Sequence, residues 1–427
     1  MADMCQAAAD NSQLLQPVTS TVHYILSGTF NTIFLYLLAF NPSTSTLTIS
    51  KTYRAQGPHQ YLALNPQRTK AYATTWASEP SLSSWNIVDG GRGGIEHINT
   101  VPISCVSATS SYIQVSSRLP RIYSAGGPTG EVHAIDPETG GFGTKLQQLL
   151  YVDQNKLEQA DKTRVALRYG SHGIDINLPR QQVFVPHLGH NSIFMYDIDQ
   201  EDGTLKFVAN CPSFDQHDGP RHNVPSPDGS KLYVITEHTS FVDVYEIQRS
   251  SLKHIQRLSV IPPSKYQDRL SYRGDTLRLS QSGSFLYVTT RGKTSQTQGF
   301  VSVWNVNKDG TLGSQDSMEQ DEQENQTFAP IDRYQTLTSG GKANAIETFP
   351  FHRQSNHVTK FQVQTSHQSL RWQEEKDWIL LTDDEQGWVW VLEFDGNKIR
   401  EVAGVQLGVD GEPDEQGTGA SHAVWLS

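Results

Sequence analysis

One short pattern recurs seven times along this chain: a β-rich strand that ends in small or polar residues. The copies are Tyr24–Gly28, Ala71–Thr75, Ile122–Gly126, Val183–His187, Leu232–Thr236, Leu286–Thr290 and Trp378–Thr382. Turn residues precede most of them: Asn65-Pro66, Leu119-Pro120, Leu178-Pro179, Pro227-Asp228-Gly229 and Ser282-Gly283. A third strand and a second turn follow most of them, as in Phe194–Ile198 with Glu201–Leu205, and Val301–Asn305 with Lys308–Leu312. From Pro66 through Pro120, Pro179 and Asp228 to Ser282, the spacings are 54, 59, 49 and 54 residues. A period near fifty with four strands per unit indicates a β-propeller blade. A parallel α/β fold would need helical patterns between the strands. The best helical candidate, residues 157–167, falls in a loop between blades.

The expected fold is therefore all-β, a seven-bladed β-propeller. The last segment, Ser421 to Leu426, reads as a first strand without its partner, and the first unit, Val22 to Tyr53, lacks a preceding strand. The C-terminal strand is thus expected to join the first blade and close the ring, which leaves few exposed strand edges. Residues 1–20 are expected to be a flexible N-terminal segment and 21–427 a single propeller. Two stretches break the period. Residues 314–325, acidic and Gln-rich, read as a mobile loop, and residues 352–373 read as an insertion inside the seventh blade.

Composition excludes several classes. No run of 18 apolar residues exists, so no membrane-spanning helix is expected. The polar, Ala-rich start, with Asp3 and Asp10, lacks the basic and apolar regions of a secretory signal. Cys5, Cys105 and Cys211 are far apart and show no metal spacing, which favours a reducing, cytoplasmic setting. A formal net charge of -11 disfavours nucleic acid as a partner, because that affinity comes from phosphate neutralisation.

The candidate chemistry starts at Gly219-Pro220-Arg221-His222-Asn223 and the returning Tyr233–Glu237. In a hairpin folded about Gly229, Arg221 and Glu237 each lie eight residues from the turn and meet at its open end. An isolated pair of this kind would be a cross-strand salt bridge worth a few tenths to about one kcal/mol. The repeat argues for more. Glu237 and Arg291 end second strands in successive blades, and His172 and Arg221 start first strands in successive blades. All four are expected at one mouth of the central channel, where convergent polar groups mark a ligand site. Asp383 and Asp384 read as structural bonds to loop backbone. His187, His190 and His222 have no carboxylate or Cys spacing that would support a metal.

The GPRHN…PDG…YV.TE run, Tyr287–Gly292 and Gly170-Ser171-His172-Gly173 resemble the seven-bladed lactonase family. That family has a bacterial 6-phosphogluconolactonase branch and a fungal carboxy-cis,cis-muconate cyclase branch. Ser339–Ala345, Thr382–Trp388 and Ala423-Val424-Trp425 are similar to the cyclase branch, and the likeness runs from about Tyr24 to Trp425. The resemblance implies a catalytic set of His172, Arg221, Glu237 and Arg291; Arg273, which could also hold substrate carboxylates, and His222, Lys342 and Asn344 are the expected substrate-binding residues. It implies no metal and no cofactor, a small polycarboxylate substrate, and a homo-oligomer. Lys342 stands where the cyclases tend to carry His, and His222 where they carry an aromatic residue. The reaction implied is closure of 3-carboxy-cis,cis-muconate to its lactone, with His172 or Glu237 delivering the proton. A sugar-acid lactone hydrolase and a non-catalytic binding propeller are the alternatives.

Overall fold

The computed structural model describes residues 21–75, 80–103, 111–161, 168–313, 329–350, 376–408 and 417–427. The expected flexible segment (1–20), the expected mobile loop (314–325) and the insertion (352–373) lie outside the described residues.

The described strands form seven four-stranded antiparallel sheets. Six follow chain order, with the first strand of each nearest the ring centre: β4–β7, β8–β11, β12–β15, β16–β19, β20–β23 and β24–β27. Their innermost strands are β4 (His59–Leu64), β8 (Tyr112–Val115), β12 (Asp175–Asn177), β16 (Pro220–Pro225), β20 (Tyr272–Leu279) and β24 (Ile346–Thr348). The seventh sheet runs β28-β1-β2-β3, so the strand Ala420–Trp425 is the innermost strand of the blade begun by His23–Thr29. Ile25 pairs with Trp425, Leu26 with Val424 and Ser27 with Ala423. All six residues of β28 are buried, as an inner strand between two neighbouring blades must be. The ring thus closes as the sequence indicates.

The recurrent signature has a physical cause. Its strand is the second of each blade, covered on both faces by neighbouring sheets, so its middle residues are apolar and buried. Several copies also carry a tyrosine that bonds the next blade. Tyr72 donates to the Gly140 carbonyl at 2.7 Å, Tyr123 to the Gly203 carbonyl at 2.9 Å, Tyr233 to the Gly310 carbonyl at 3.0 Å, and Tyr287 to the Asp377 carboxylate at 2.6 Å. The ring face fills the inter-blade core while the hydroxyl satisfies a turn of the neighbour. Outer strands such as β3 (Thr46–Arg54) and β11 (Phe142–Leu150) are mostly exposed or half-buried, as edge strands facing water are.

Of the helical candidate at 157–167, residues 157–161 are described, and its start lies in a 3-10 segment, Gln154–Gln159, between two blades. A second 3-10 segment, Pro263–Ser271, leads into β20 and carried no sequence signal; Pro263 fits its first turn because a helix start leaves that N–H unused anyway. No described helix is long and apolar enough to cross a membrane.

Candidate active site

Every inner strand runs through the channel in the same sense, so strand starts share one mouth. Arg221 is the second residue of β16, Arg273 the second of β20, and His172 lies just ahead of β12. Glu237 follows β17 (Lys231–Thr236), and Arg291 is the penultimate residue of β21 (Phe285–Gly292). The predicted set therefore converges.

The hairpin is not a simple ladder at this end. Its register shifts between Pro220 and His222, so Arg221 sits in a bulge and reaches Glu237 by side chain rather than as a cross-strand partner. Bulges commonly re-aim side chains beside functional sites. Arg221 Nε donates to Glu237 Oε2 at 3.1 Å, and Arg291 Nη2 donates to Glu237 Oε1 at 3.0 Å. One carboxylate thus bridges two guanidinium groups from adjacent blades.

A residue the sequence reading missed completes this cluster. Asp275, fully buried in β20, lies 2.6 Å from Arg221 Nη1 through Oδ1 and 3.9 Å from Arg291 Nε through Oδ2. These are charge contacts rather than aligned hydrogen bonds. Its Oδ2 accepts the Asn344 backbone N–H at 2.5 Å, and its own carbonyl accepts Arg221 Nη1 at 2.9 Å. An acidic residue two places after Arg273 in an innermost strand was the available signal: an inner-strand carboxylate has only the channel to serve.

The two arginines are thereby held by fixed anions, whereas Arg273 makes no hydrogen bond or ion pair with a described residue. Its guanidinium is half-buried, and burial lowers its pKa while Glu237 opposes that. Three guanidinium groups stand against two carboxylates, leaving an excess positive charge at the mouth.

Two histidines complete the floor. His172 Nδ1 lies 3.3 Å from Ser111 Oγ and 3.3 Å from His222 Nε2, and Gln60 Nε2 donates to the same serine at 2.7 Å. Its Nε2 makes no hydrogen bond within the described protein and is the atom free to meet a ligand. Burial, helped by Arg221, pushes the His172 pKa down to about 3, and burial puts His222 well below its ordinary value. Both are neutral at pH 7. Burial alone would raise Glu237, but Arg291 and Arg221 outweigh it and hold the carboxyl at about 2. Glu237 is therefore ionised in the free site.

The Gly170-Ser171-His172-Gly173 run has a structural logic. A Cβ on Gly170 would lie 2.3 Å from Gly127 Cα, so only glycine allows the backbones to touch. Ser171 pairs across that contact with both Gly127 and His187, which fixes the position of His172. In the Ser339–Ala345 loop, Gly340 and Gly341 have φ of 85° and 60°, and the Gly341 carbonyl accepts Arg291 Nη1 at 3.3 Å.

The other expected residues are more dispersed. Lys342 Nζ lies 3.0 Å from Asp384 Oδ1 and 3.3 Å from Asn31 Oδ1, at the rim. There it lines a cleft of about 380 Å³ with Lys293, Gly341 and Asp384. Asn344 is buried and donates to the Thr290 carbonyl at 2.9 Å, so it supports the cluster from behind. His222 packs edge-on to Tyr112, 5.0 Å between ring centres, and accepts from Arg221 Nη1. Asp383 bonds Thr338 and the backbone of Glu385 and Gln386, the structural role expected of it. No set of three described His, Cys, Asp or Glu side chains has metal-holding geometry.

Comparison with known proteins places this geometry in context. Residues 25–376 match the family model for lactonase, 7-bladed beta-propeller. The chain is 30% identical to muconate cycloisomerase 1 of Cutaneotrichosporon cutaneum, over 90% of this chain and 94% of that protein. It is 23% identical to carboxy-cis,cis-muconate cyclase of Neurospora crassa, over 60% of each. The crystal structure of a putative 6-phosphogluconolactonase from Bacteroides uniformis superposes with a TM-score of 0.68 at 16% identity, covering 95% of this chain and 99% of that one. The chain belongs to the seven-bladed β-propeller lactonase family.

Proposed function

We propose that this protein is a cycloisomerase that closes 3-carboxy-cis,cis-muconate, or a closely related polycarboxylate, to its lactone. The observation that carries the reading is the trio Arg221, Arg273 and Arg291 at one channel mouth, with Arg273 unpaired and an excess of positive charge. A guanidinium grips a carboxylate through two parallel donors and stays charged at any working pH. The named cyclase relatives support the same substrate class.

In this reading no nucleophilic side chain is needed, because the substrate brings its own carboxylate. One carboxylate oxygen forms the new C–O bond to an alkene carbon, and the π pair moves onto the neighbouring carbon. Charge delocalised onto the adjacent carboxylate is met by Arg273 and Arg221, which are in place before the reaction begins. The carbon then takes a proton from His172 Nε2. Burial, with Arg221 and Arg291 adding to it, depresses that imidazole in the free site. A bound polyanion cancels part of their field and raises its pKa toward the donor range. Holding the chain in a near-closed conformation supplies a further large part of the acceleration, as for any intramolecular attack.

One observation favours a second reading. Ionised Glu237 and neutral His172 are both bases in the free site. A sugar-acid lactone hydrolase needs such a base to activate water, and the Bacteroides neighbour carries that name. The test is to incubate the purified protein with 3-carboxy-cis,cis-muconate while following loss of its ultraviolet absorbance. A parallel reaction with 6-phosphogluconolactone follows acid release by pH-stat. Turnover of the muconate alone supports the cycloisomerase, and turnover of the lactone alone overturns it.

A further inference from the structure

The row of strand starts at the channel mouth continues past the arginines. Gln60 is the second residue of β4, the place that Arg221 holds in β16 and Arg273 in β20, and Ser111 immediately precedes β8. The β4–β5 register shifts between His59 and Leu62, so a bulge re-aims Gln60 as another re-aims Arg221. Three successive blades thus bring Gln60, Ser111 and His172 together. Gln60 and Ser111 are both buried, and the Ser111 N–H is pinned to the Ala125 carbonyl at 2.8 Å. The proposed reaction uses His172 Nε2 and leaves Nδ1, the nitrogen beside Ser111, without a role.

Counting hydrogens gives that nitrogen a role. Gln60 Nε2 can only donate, and it does so to Ser111 Oγ at 2.7 Å. The serine's own hydrogen therefore needs an acceptor. Among the described residues the one in reach is His172 Nδ1, at 3.3 Å. That is long for an O–H···N bond, as such bonds often are before substrate binds. The other neighbour of Nδ1, His222 Nε2 at 3.3 Å, does not compete. Arg221 Nη1, which only donates, lies 3.1 Å from that nitrogen and claims its lone pair. A ring nitrogen that accepts from Ser111 carries no hydrogen, so neutral His172 has its hydrogen on Nε2. Gln60 supplies the complement: its Oε1 is a buried acceptor without a partner. A turn of the amide presents Oε1 to the serine hydrogen and leaves Oγ free to accept.

We infer that Ser111, oriented by Gln60, is the positioning residue of His172: its hydroxyl donates to Nδ1 in the free site, keeping the ring hydrogen on Nε2, and reverses to accept from Nδ1 once the ring is protonated. The ring takes up one proton from water as the polyanion binds. It passes the hydrogen on Nε2 to the substrate carbon and is left neutral with a hydrogen on Nδ1, and exchange with water restores the starting form. The charged and titratable groups that face His172 are Arg221, Glu237, Arg291 and His222. None of them can follow both states of Nδ1, whereas a hydroxyl both donates and accepts. The catalytic part of this inference rests on the cycloisomerase reading; the position of the hydrogen in the free site does not.

The test has a spectroscopic and a kinetic arm. Long-range nitrogen–proton NMR of histidine-labelled protein at neutral pH reads the hydrogen without substrate, the His172 signals being those lost in His172→Asn. A bare Nδ1 and a protonated Nε2 are expected. Ser111→Ala and Gln60→Leu, with melting curves checking that each is folded, should lower kcat for the muconate by about tenfold or more while KM stays within about twofold. Ser111→Ala also removes the acceptor that stabilises protonated His172, which lowers the pKa of that form. The fall of kcat at high pH should therefore move to lower pH by about half a unit or more. A hydrogen on Nδ1 in the free protein overturns the inference, as does a Ser111→Ala protein whose kcat and pH profile match the parent. If the parent turns over no muconate while Nε2 carries the hydrogen, the cycloisomerase reading fails and the assignment of the free site stands.

Discussion

Glu237→Gln tests the charge architecture of the active mouth most directly. In the fold this carboxyl falls from 4.5 to about 2 because Arg291 and Arg221 outweigh its burial. At about 1.36 kcal/mol per pKa unit, the folded state favours the ionised form by about 3 kcal/mol. The folded pKa lies below the unfolded one. The stabilisation is therefore fully present above about pH 5 and is lost as pH falls toward about 2. Near pH 3 less than half, about 1.4 kcal/mol, should remain. Glutamine keeps one acceptor for a guanidinium but leaves both cations without their shared anion, so the expected loss at pH 7 is about 2–3 kcal/mol. Urea unfolding of both proteins, followed by tryptophan fluorescence at pH 7, 5, 4 and 3, measures this. The difference should hold to pH 5 and shrink below it. A variant as stable as the parent at pH 7, or a deficit unchanged at pH 3, would refute the bridging role assigned to this carboxylate.

Three further outcomes are expected. Arg273→Gln removes an unpaired guanidinium, so unfolding free energy should change by less than about 0.5 kcal/mol; KM for the muconate should rise at least tenfold in steady-state assays. His172→Asn removes the proton donor, so kcat should fall by about 10²–10⁴ while equilibrium binding of the muconate is kept. Tyr233→Phe deletes the inter-blade hydrogen bond to Gly310 and leaves the ring packing intact, so chemical denaturation should show a loss of about 1 kcal/mol with unchanged kinetics.

The parts of the molecule legible in the sequence are those written locally or repeatedly. The second-strand signature, its Pro, Asp and Gly turns, and the unpartnered strands at Tyr24 and Ala423 were enough to give blade number and closure. The Arg221–Glu237 pair was legible because a hairpin turn relates the two residues. Asp275 was not. Its role depends on β20 sitting beside β16 across a blade boundary, and nothing local to Gly274-Asp275-Thr276 records that neighbour. Lys342 matched by motif position, yet Asp384 draws its ammonium toward the rim. Protonation was also beyond the sequence. Residue type makes His172 a plausible acid and Glu237 another, and only burial with the two arginines fixes them as neutral and ionised.

Ring closure by β28 also orders events during synthesis. Ile25 emerges from the ribosome early, yet its inner partner Trp425 lies about 400 residues later; at about 5–20 residues per second, β1 waits some 20–80 s for it. Throughout that interval the first blade has a vacancy at its innermost position, and the ring cannot seal. Six blades can assemble in order as they appear, but the first one translated is the last one finished. A nascent chain halted before Ala420 is therefore an open arc whose free strand β1 is available to other chains. Chaperone demand should accordingly peak late in translation.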